Sequence, residues 1–168
     1  MSVPSLHDAT IRIKRLSDSG RYAEVIDLCS DVVALFPREW KFYYESAHAK
    51  MILGRRSEAI DDLSRALKIQ DREPALFFFR GSWKIDAGDY VHGSEDLLNA
   101  IDAEANLGSS YYVESARFRR AIAFLHLAEF EKAKDEYNHV RPDLTAYVKG
   151  RMWSATEVLD KTQRRIRP

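Results

Sequence analysis

Five histidines, one cysteine and a short acidic cluster are the side chains of this 168-residue chain with which chemistry could be done. His7, His48, His92, His126 and His139 are scattered, and none stands in an H-E-x-x-H frame, so they are read as surface or groove side chains rather than metal ligands. Cys29 has no second cysteine to pair with and falls where a helix wants an apolar residue. A buried, inert thiol in a reducing compartment is expected. Glu131, Asp135 and Glu136 gather on one predicted helix, but Lys132 and Lys134 alternate with them, which reads as a solvated face. There is no G-x-x-x-x-G-K-[ST] loop and no G-x-G-x-x-G after a strand to cradle phosphate. No catalytic residue, metal or cofactor is therefore expected, and the chain is not expected to be an enzyme. An enzyme on a helical scaffold is the lesser alternative, and its sign would be a pocket with converging polar groups.

The charge balance narrows the partners. Lys and Arg number 26 and so do Asp and Glu, which leaves no global field to recruit nucleic acid or an anionic membrane. The basic residues Lys149, Arg151, Lys161, Arg164, Arg165 and Arg167 near the end are read as the solvated face and last turn of a terminal helix. No stretch approaches the ~20 apolar residues of a membrane span, and Met1 to Leu16 lacks an apolar run of signal-peptide length. A cytoplasmic protein of one domain is expected.

The elements that must position any site follow a repeat. Gly20, Gly54 and Gly88 are spaced 34 residues apart twice, each before a second amphipathic segment. The first unit, about 6–39, has a helix from Leu6 to Ser17 and a second carrying Val25, Leu28, Cys29, Val32 and Val33, stopped by Pro37. The second, about 40–73, runs from Trp40 through Ala47 to Gly54 and back through Ala59 and Leu63. The third, about 74–107, opens on Pro74, passes Gly81 and Trp83, turns at Gly88 and returns through Gly93 and Leu97. A diverged fourth unit, about 114–141, has Ala128 in the turn where glycine stood before. The spacing from Gly88 to Ala128 is 40, so about six extra residues near Leu107 to Val113 make a longer loop at Gly108-Ser109-Ser110 or extend the adjacent helices. After Pro142 a final capping helix is expected over about 143–166, with Leu144, Tyr147, Val148, Met152, Ala155 and Val158 in one stripe and Trp153 on the opposite, solvent face.

These slots resemble the tetratricopeptide repeat family. The pattern is carried by Tyr43, Ser46, Ala47, Ala59 and Leu63, then Phe77, Arg80, Gly81, Gly93 and Leu97, then Arg117, Arg120, Ala121, Phe124, Ala133 and Tyr137. It covers roughly residues 6 to 141. The slot in which the family favours leucine holds Arg12, Ser46, Arg80 and Arg120; either these stems run along the seam between repeats or the register there shifts by one. The resemblance implies an all-α, right-handed superhelical solenoid of about four helical hairpins with a C-terminal capping helix. It also implies a concave surface on which a peptide or partner domain can dock.

On the first helices, residues not needed for packing read Lys41, Tyr44, Glu45, His48 and Ile52, then Phe78, Phe79, Ser82 and Ile85, then Phe118, Arg119, Ile122 and Leu125. This is an aromatic groove. The expected partner-binding residues are Lys41, Tyr44, His48, Phe78, Phe79, Ser82, Phe118, Arg119 and Ile122, with Trp153 as an anchor for a partner or a second copy in a homodimer. Two readings stay open: the groove binds a partner, or the chain folds back and fills it. Family members that grip acidic chaperone tails use a Lys, Asn, Asn, Lys and Arg clamp; the matching slots hold Thr10, Lys14, Glu45, Ala75 and Phe79, so no such grip is expected. A non-catalytic interaction module is the leading expectation, by analogy an adaptor, toxin-neutralising or secretion-chaperone protein of a bacterium. A self-associating structural protein is the alternative.

Overall fold

The computed structural model describes residues 5–166, so Arg167 of the basic tail and the first four residues of the expected leader lie outside them. In order come α1 (Leu6–Asp18), α2 (Tyr22–Leu35), α3 (Trp40–Ile52), α4 (Arg56–Ile69), α5 (Pro74–Ala87), α6 (Tyr90–Leu107), α7 (Val113–His126) and α8 (Phe130–Tyr137). A β-hairpin of β1 (Thr145–Val148) and β2 (Arg151–Ser154) and the helix α9 (Ala155–Ile166) follow. Two compact units, Met1–Asp71 and Arg72–Pro168, divide these elements. Each is built from helical hairpins in tandem, the arrangement the repeat predicts.

In the first unit α1 pairs with α2 and α3 with α4, while α2 packs on α3. Ser5 caps α1 by accepting from Asp8 N–H at 3.1 Å. The core is Ile13, Leu16, Val25, Leu28, Cys29, Val32 and Phe42. Apolar residues at helical spacing on α1 and α2 share one side, and their burial contributes ~1.5–3 kcal/mol per large side chain.

In the second unit α5 pairs with α6 and α7 with α8, α6 packs on α7, and α8 on α9. Glycines let α5 and α6 approach closely: a Cβ on Gly81 would lie 2.7 Å from Gly93 O, and one on Gly93 would lie 2.6 Å from Ile85 Cγ1. The turn of this hairpin ends at Gly88 with φ 93°, and Ala128 takes the same left-handed region, φ 60°, in the next. An L-residue there costs ~1–2 kcal/mol, which glycine avoids. The extra residues lengthen α6 to 18 residues, against 14 for α4. The loop that follows hangs on the buried Glu104 carboxylate, which accepts from Tyr111 N–H at 3.2 Å and Tyr112 N–H at 3.1 Å.

Ser46, Arg80 and Arg120 neither line a seam nor mark a shifted register; they turn inward to a carboxylate on the second helix of their own hairpin. Asp62 accepts from Ser46 Oγ at 2.7 Å and Lys50 Nζ at 2.5 Å. Asp96 accepts from Arg80 Nε at 2.8 Å and Nη2 at 2.6 Å, with Lys84 Nζ also at 2.8 Å. Glu136 is met by Arg120 Nη1 at 2.5 Å and Arg117 Nη1 at 3.1 Å. All three acids are at least 95% buried. A carboxylate is tolerated there because each is paired and hydrogen-bonded, and the recurrence fixes the pairing register of three hairpins. The first hairpin has Leu28 in that place, and its Arg12 is exposed.

The expected helix over 143–166 is corrected. Residues 145–154 form an antiparallel hairpin, with Ala146 opposite Trp153, Tyr147 opposite Met152 and Val148 opposite Arg151. Lys149 and Gly150 make its two-residue turn with φ 51° and 79°. A positive φ at both central positions suits the twist of a two-residue hairpin, and the flanking Thr, Tyr, Val, Met and Trp suit strands. Side chains then alternate with period two: Tyr147 and Met152 are exposed, Val148 and Trp153 buried. Trp153, expected on a solvent face, is 6% exposed and sits in the core with Ile85, Phe118, Ile122 and Val158.

Candidate functional site

The first unit holds an open cleft between α1 and α3. Its volume is about 610 Å³, and Thr10, Ile13 and Lys14 of α1 face Trp40, Lys41, Tyr44 and Glu45 of α3 across it. Trp40 and Tyr44, one helical turn apart, meet edge to face at 6.4 Å, and Tyr44 meets the His48 ring at 4.4 Å. Lys41 Nζ rides 5.9 Å from the Trp40 ring centroid. Burial pushes His48 down to about 4 and raises the Glu45 carboxyl, so the wall next to the aromatic rings favours uncharged groups. Lys14 and Lys41 are exposed and keep the rim cationic. Of the expected residues, Lys41 and Tyr44 line this cleft, and His48 stands behind Tyr44. Sequence reasoning left out Trp40, whose signal was its place one turn before Tyr44. Cys29 is buried, and its thiol is pushed up to about 12, first by burial and then by Glu45 and Asp62.

In the second unit the expected stripe is divided. Ser82, Phe118 and Ile122, expected to line an open groove, are buried, with 3%, 0% and 0% exposure. The filled reading is the correct one for this face: Val148 and Trp153 of the hairpin belong to the same core cluster as Phe118 and Ile122. Arg119 Nη2 donates to Tyr147 C=O at 3.2 Å. Burial lowers the Arg119 guanidinium below its ordinary range, opposed by Asp86. With Trp153 in the core, its ring offers no surface to a second copy.

Phe78 and Phe79 are half-buried in an aromatic cluster. Phe78 stacks on Tyr112 at 4.6 Å, and Phe79 meets Trp83 at 5.9 Å. The loop held by Glu104 thus supplies a ring that the repeat pattern did not anticipate. At the far end of α7, His126 stacks on Tyr90 at 4.5 Å and meets Trp153 edge-on at 5.5 Å. Lys149 lies over the Tyr90 ring and Arg151 over the Trp153 ring. Burial, then Lys149 and Arg151, lower the His126 value. Asp89 stands one helical turn before His92 and meets its Nδ1 at 2.9 Å. Among the described residues no three His, Cys, Asp or Glu side chains converge as metal ligands, and no helix is long and apolar enough to cross a membrane.

No family model matches the chain. It is 23% identical over 133 residues to the tetratricopeptide repeat and J domain-containing co-chaperone DNJ1 of Cryptococcus neoformans, which covers 79% of this chain and 26% of that protein. This chain therefore spans about a quarter of that relative's length. Among solved structures, MamA superposes with a TM-score of 0.71 at 15% identity, covering 98% of this chain and 82% of that one. The first TPR of Spaghetti (RPAP3), bound to the HSP90 peptide SRMEEVD, superposes with a TM-score of 0.63 at 22% identity, covering 77% of this chain and 94% of that one. Tandem hairpins turning at Gly20, Gly54 and Gly88, together with these superpositions, show that the chain has a tetratricopeptide-repeat-like fold.

Proposed function

We propose that the chain is a non-catalytic interaction module that takes an extended peptide in the α1–α3 cleft of its first unit. The observation that carries this reading is the Trp40–Tyr44 pair, set edge to face in a cleft of about 610 Å³ with lysines on its rim. Rigid aromatic anchors in a concave, mostly apolar site are the side chains that dominate binding energy at peptide interfaces. A protein of this fold holds an HSP90 peptide, which supports a peptide as the ligand class. The ligand that suits the cleft places an apolar side chain against Trp40 and Tyr44 and keeps any carboxylate out at Lys14 and Lys41. A string of acids along the cleft is disfavoured by Glu45 and Glu39, which line the same space.

A displayed-peptide library selected on the full chain tests this. Selected peptides are expected to bind in calorimetry, and Trp40→Ala or Tyr44→Ala is expected to weaken them by about 30-fold, as removal of a ~2 kcal/mol anchor does. Both variants should melt within a few degrees of the parent. Peptides whose affinity ignores both substitutions would place the binding surface elsewhere.

A further inference from the structure

The charges of the α1–α3 cleft are sorted by depth. Lys14 and Lys41 are exposed at its rim, whereas Glu39 and Glu45, which line the same space, are half-buried. Solvent and salt screen the two lysines more than they screen charges inside the cleft, so a ligand that enters meets the carboxylates.

Elsewhere in this chain a carboxylate taken out of water is given donors. Asp62 has Ser46 and Lys50, and Asp96 has Arg80 and Lys84. Glu104 has the Tyr111 and Tyr112 N–H groups, and Glu136 has Arg117 and Arg120. Glu45 is treated differently: among the described residues no hydrogen bond or ion pair reaches its carboxylate. Lys41 stands one helical turn before Glu45 on α3, yet its Nζ lies 5.9 Å from the Trp40 ring centroid instead. Burial raises the Glu45 carboxyl above its ordinary range, as it does for a charge desolvated without compensation.

The spacing along α3 sets the rings beside this acid. Trp40 and Tyr44 form one i, i+4 row, and Lys41 and Glu45 form the next. Aromatic faces attract cations within ~6 Å, and Trp40 already holds the Lys41 ammonium near that limit. Two rings and a carboxylate without a donor, side by side in one cleft, are complementary to a side chain with an apolar stem and a cationic end.

We infer that the peptide taken in this cleft carries an arginine within two residues of its apolar anchor. The arginine stem lies along Trp40 and Tyr44, and its guanidinium forks onto the Glu45 carboxylate, with Glu39 adding negative charge to the same space. Arginine fits better than lysine because its planar guanidinium stacks on rings, meets a carboxylate with two N–H groups at once and sheds water more easily than an ammonium. This inference rests on the α1–α3 cleft being the peptide site.

The test selects a random displayed-peptide library on the full chain and, in parallel, on the full chain carrying Glu45→Gln. Selection on the parent is expected to enrich arginine near an apolar residue, and selection on the variant is not. The variant should melt no lower than the parent, since it loses a desolvated charge that nothing pairs. A parent-selected peptide is then made with arginine and with citrulline, which keeps the shape and removes the charge. In calorimetry citrulline should weaken binding at least about tenfold on the parent and under about twofold on Glu45→Gln. A citrulline peptide that binds the parent as tightly as the arginine peptide, or loses as much on Glu45→Gln as on the parent, would overturn the inference. So would selected peptides that need Trp40 and Tyr44 but carry no arginine, and these would leave the cleft reading standing. Peptides indifferent to both Trp40→Ala and Tyr44→Ala, or a library that yields no binder, would overturn both.

Discussion

Replacing Trp153 by alanine separates a core residue from a surface anchor. The ring is 6% exposed and packs within the cluster of Ile85, Phe118, Ile122, Val148 and Val158. Its edge-to-face contact with His126 and the Arg151 guanidinium 4.3 Å from its centroid are lost with it. Truncating a buried aromatic to alanine costs ~3–5 kcal/mol, from lost transfer energy plus the cavity that remains. Against a total stability of ~5–15 kcal/mol this is a large fraction. The loss falls on the unit Arg72–Pro168, so unfolding should separate into two transitions, with the lower one belonging to that unit. Urea titrations followed by far-UV circular dichroism and by tryptophan fluorescence would read it, because Trp40 reports on the first unit and Trp83 on the second. Trp153→Phe keeps a ring in place and should lose clearly less. A stability change of ~0.5 kcal/mol or less on Trp153→Ala, the size of an ordinary surface substitution, would refute the core placement and with it the seating of the hairpin.

Asp96→Ala leaves the partly buried Arg80 and Lys84 without their shared carboxylate and should cost ~3 kcal/mol in denaturant unfolding, while Asp160→Ala, on an exposed pair with Arg164, should cost under ~1 kcal/mol. Ala128→Gly relieves a left-handed backbone at φ 60° and should raise the melting temperature, by an amount equivalent to ~1 kcal/mol. Acid should act through His48, which burial pushes from 6.5 down to about 4. The unfolded chain takes up a proton at higher pH than the folded one, so stability is whole above 6.5 and falls as the pH drops toward 4, by up to ~3 kcal/mol. His48→Gln should flatten that part of the stability–pH curve, which melting scans at half-unit pH steps would show.

The hairpin order was legible in the sequence because its determinants are local. Glycine at the turns, apolar residues at helical spacing and small residues at Ala47, Ala59, Gly81 and Gly93 specify each hairpin from within its own segment. Two residues of the candidate cleft were legible for the same reason, since Lys41 follows Trp40 directly and Tyr44 stands one helix turn beyond it. The β-hairpin carried a local signal too, a Lys149-Gly150 pair between alternating residues, but the same residues also fit a helical stripe, and ten residues are too few for period alone to choose. What tertiary structure decided is everything that depends on a partner distant in the chain. Whether Arg80 and Arg120 faced solvent or a buried acid depended on Asp96 and Glu136 arriving from the second helix. Whether Phe118 and Ile122 lined an open groove or a core depended on a strand some 25 residues further on settling over them. A sequence states which side chains a helix face presents; what covers that face is fixed by contacts whose loop-closure entropy and packing are properties of the whole unit.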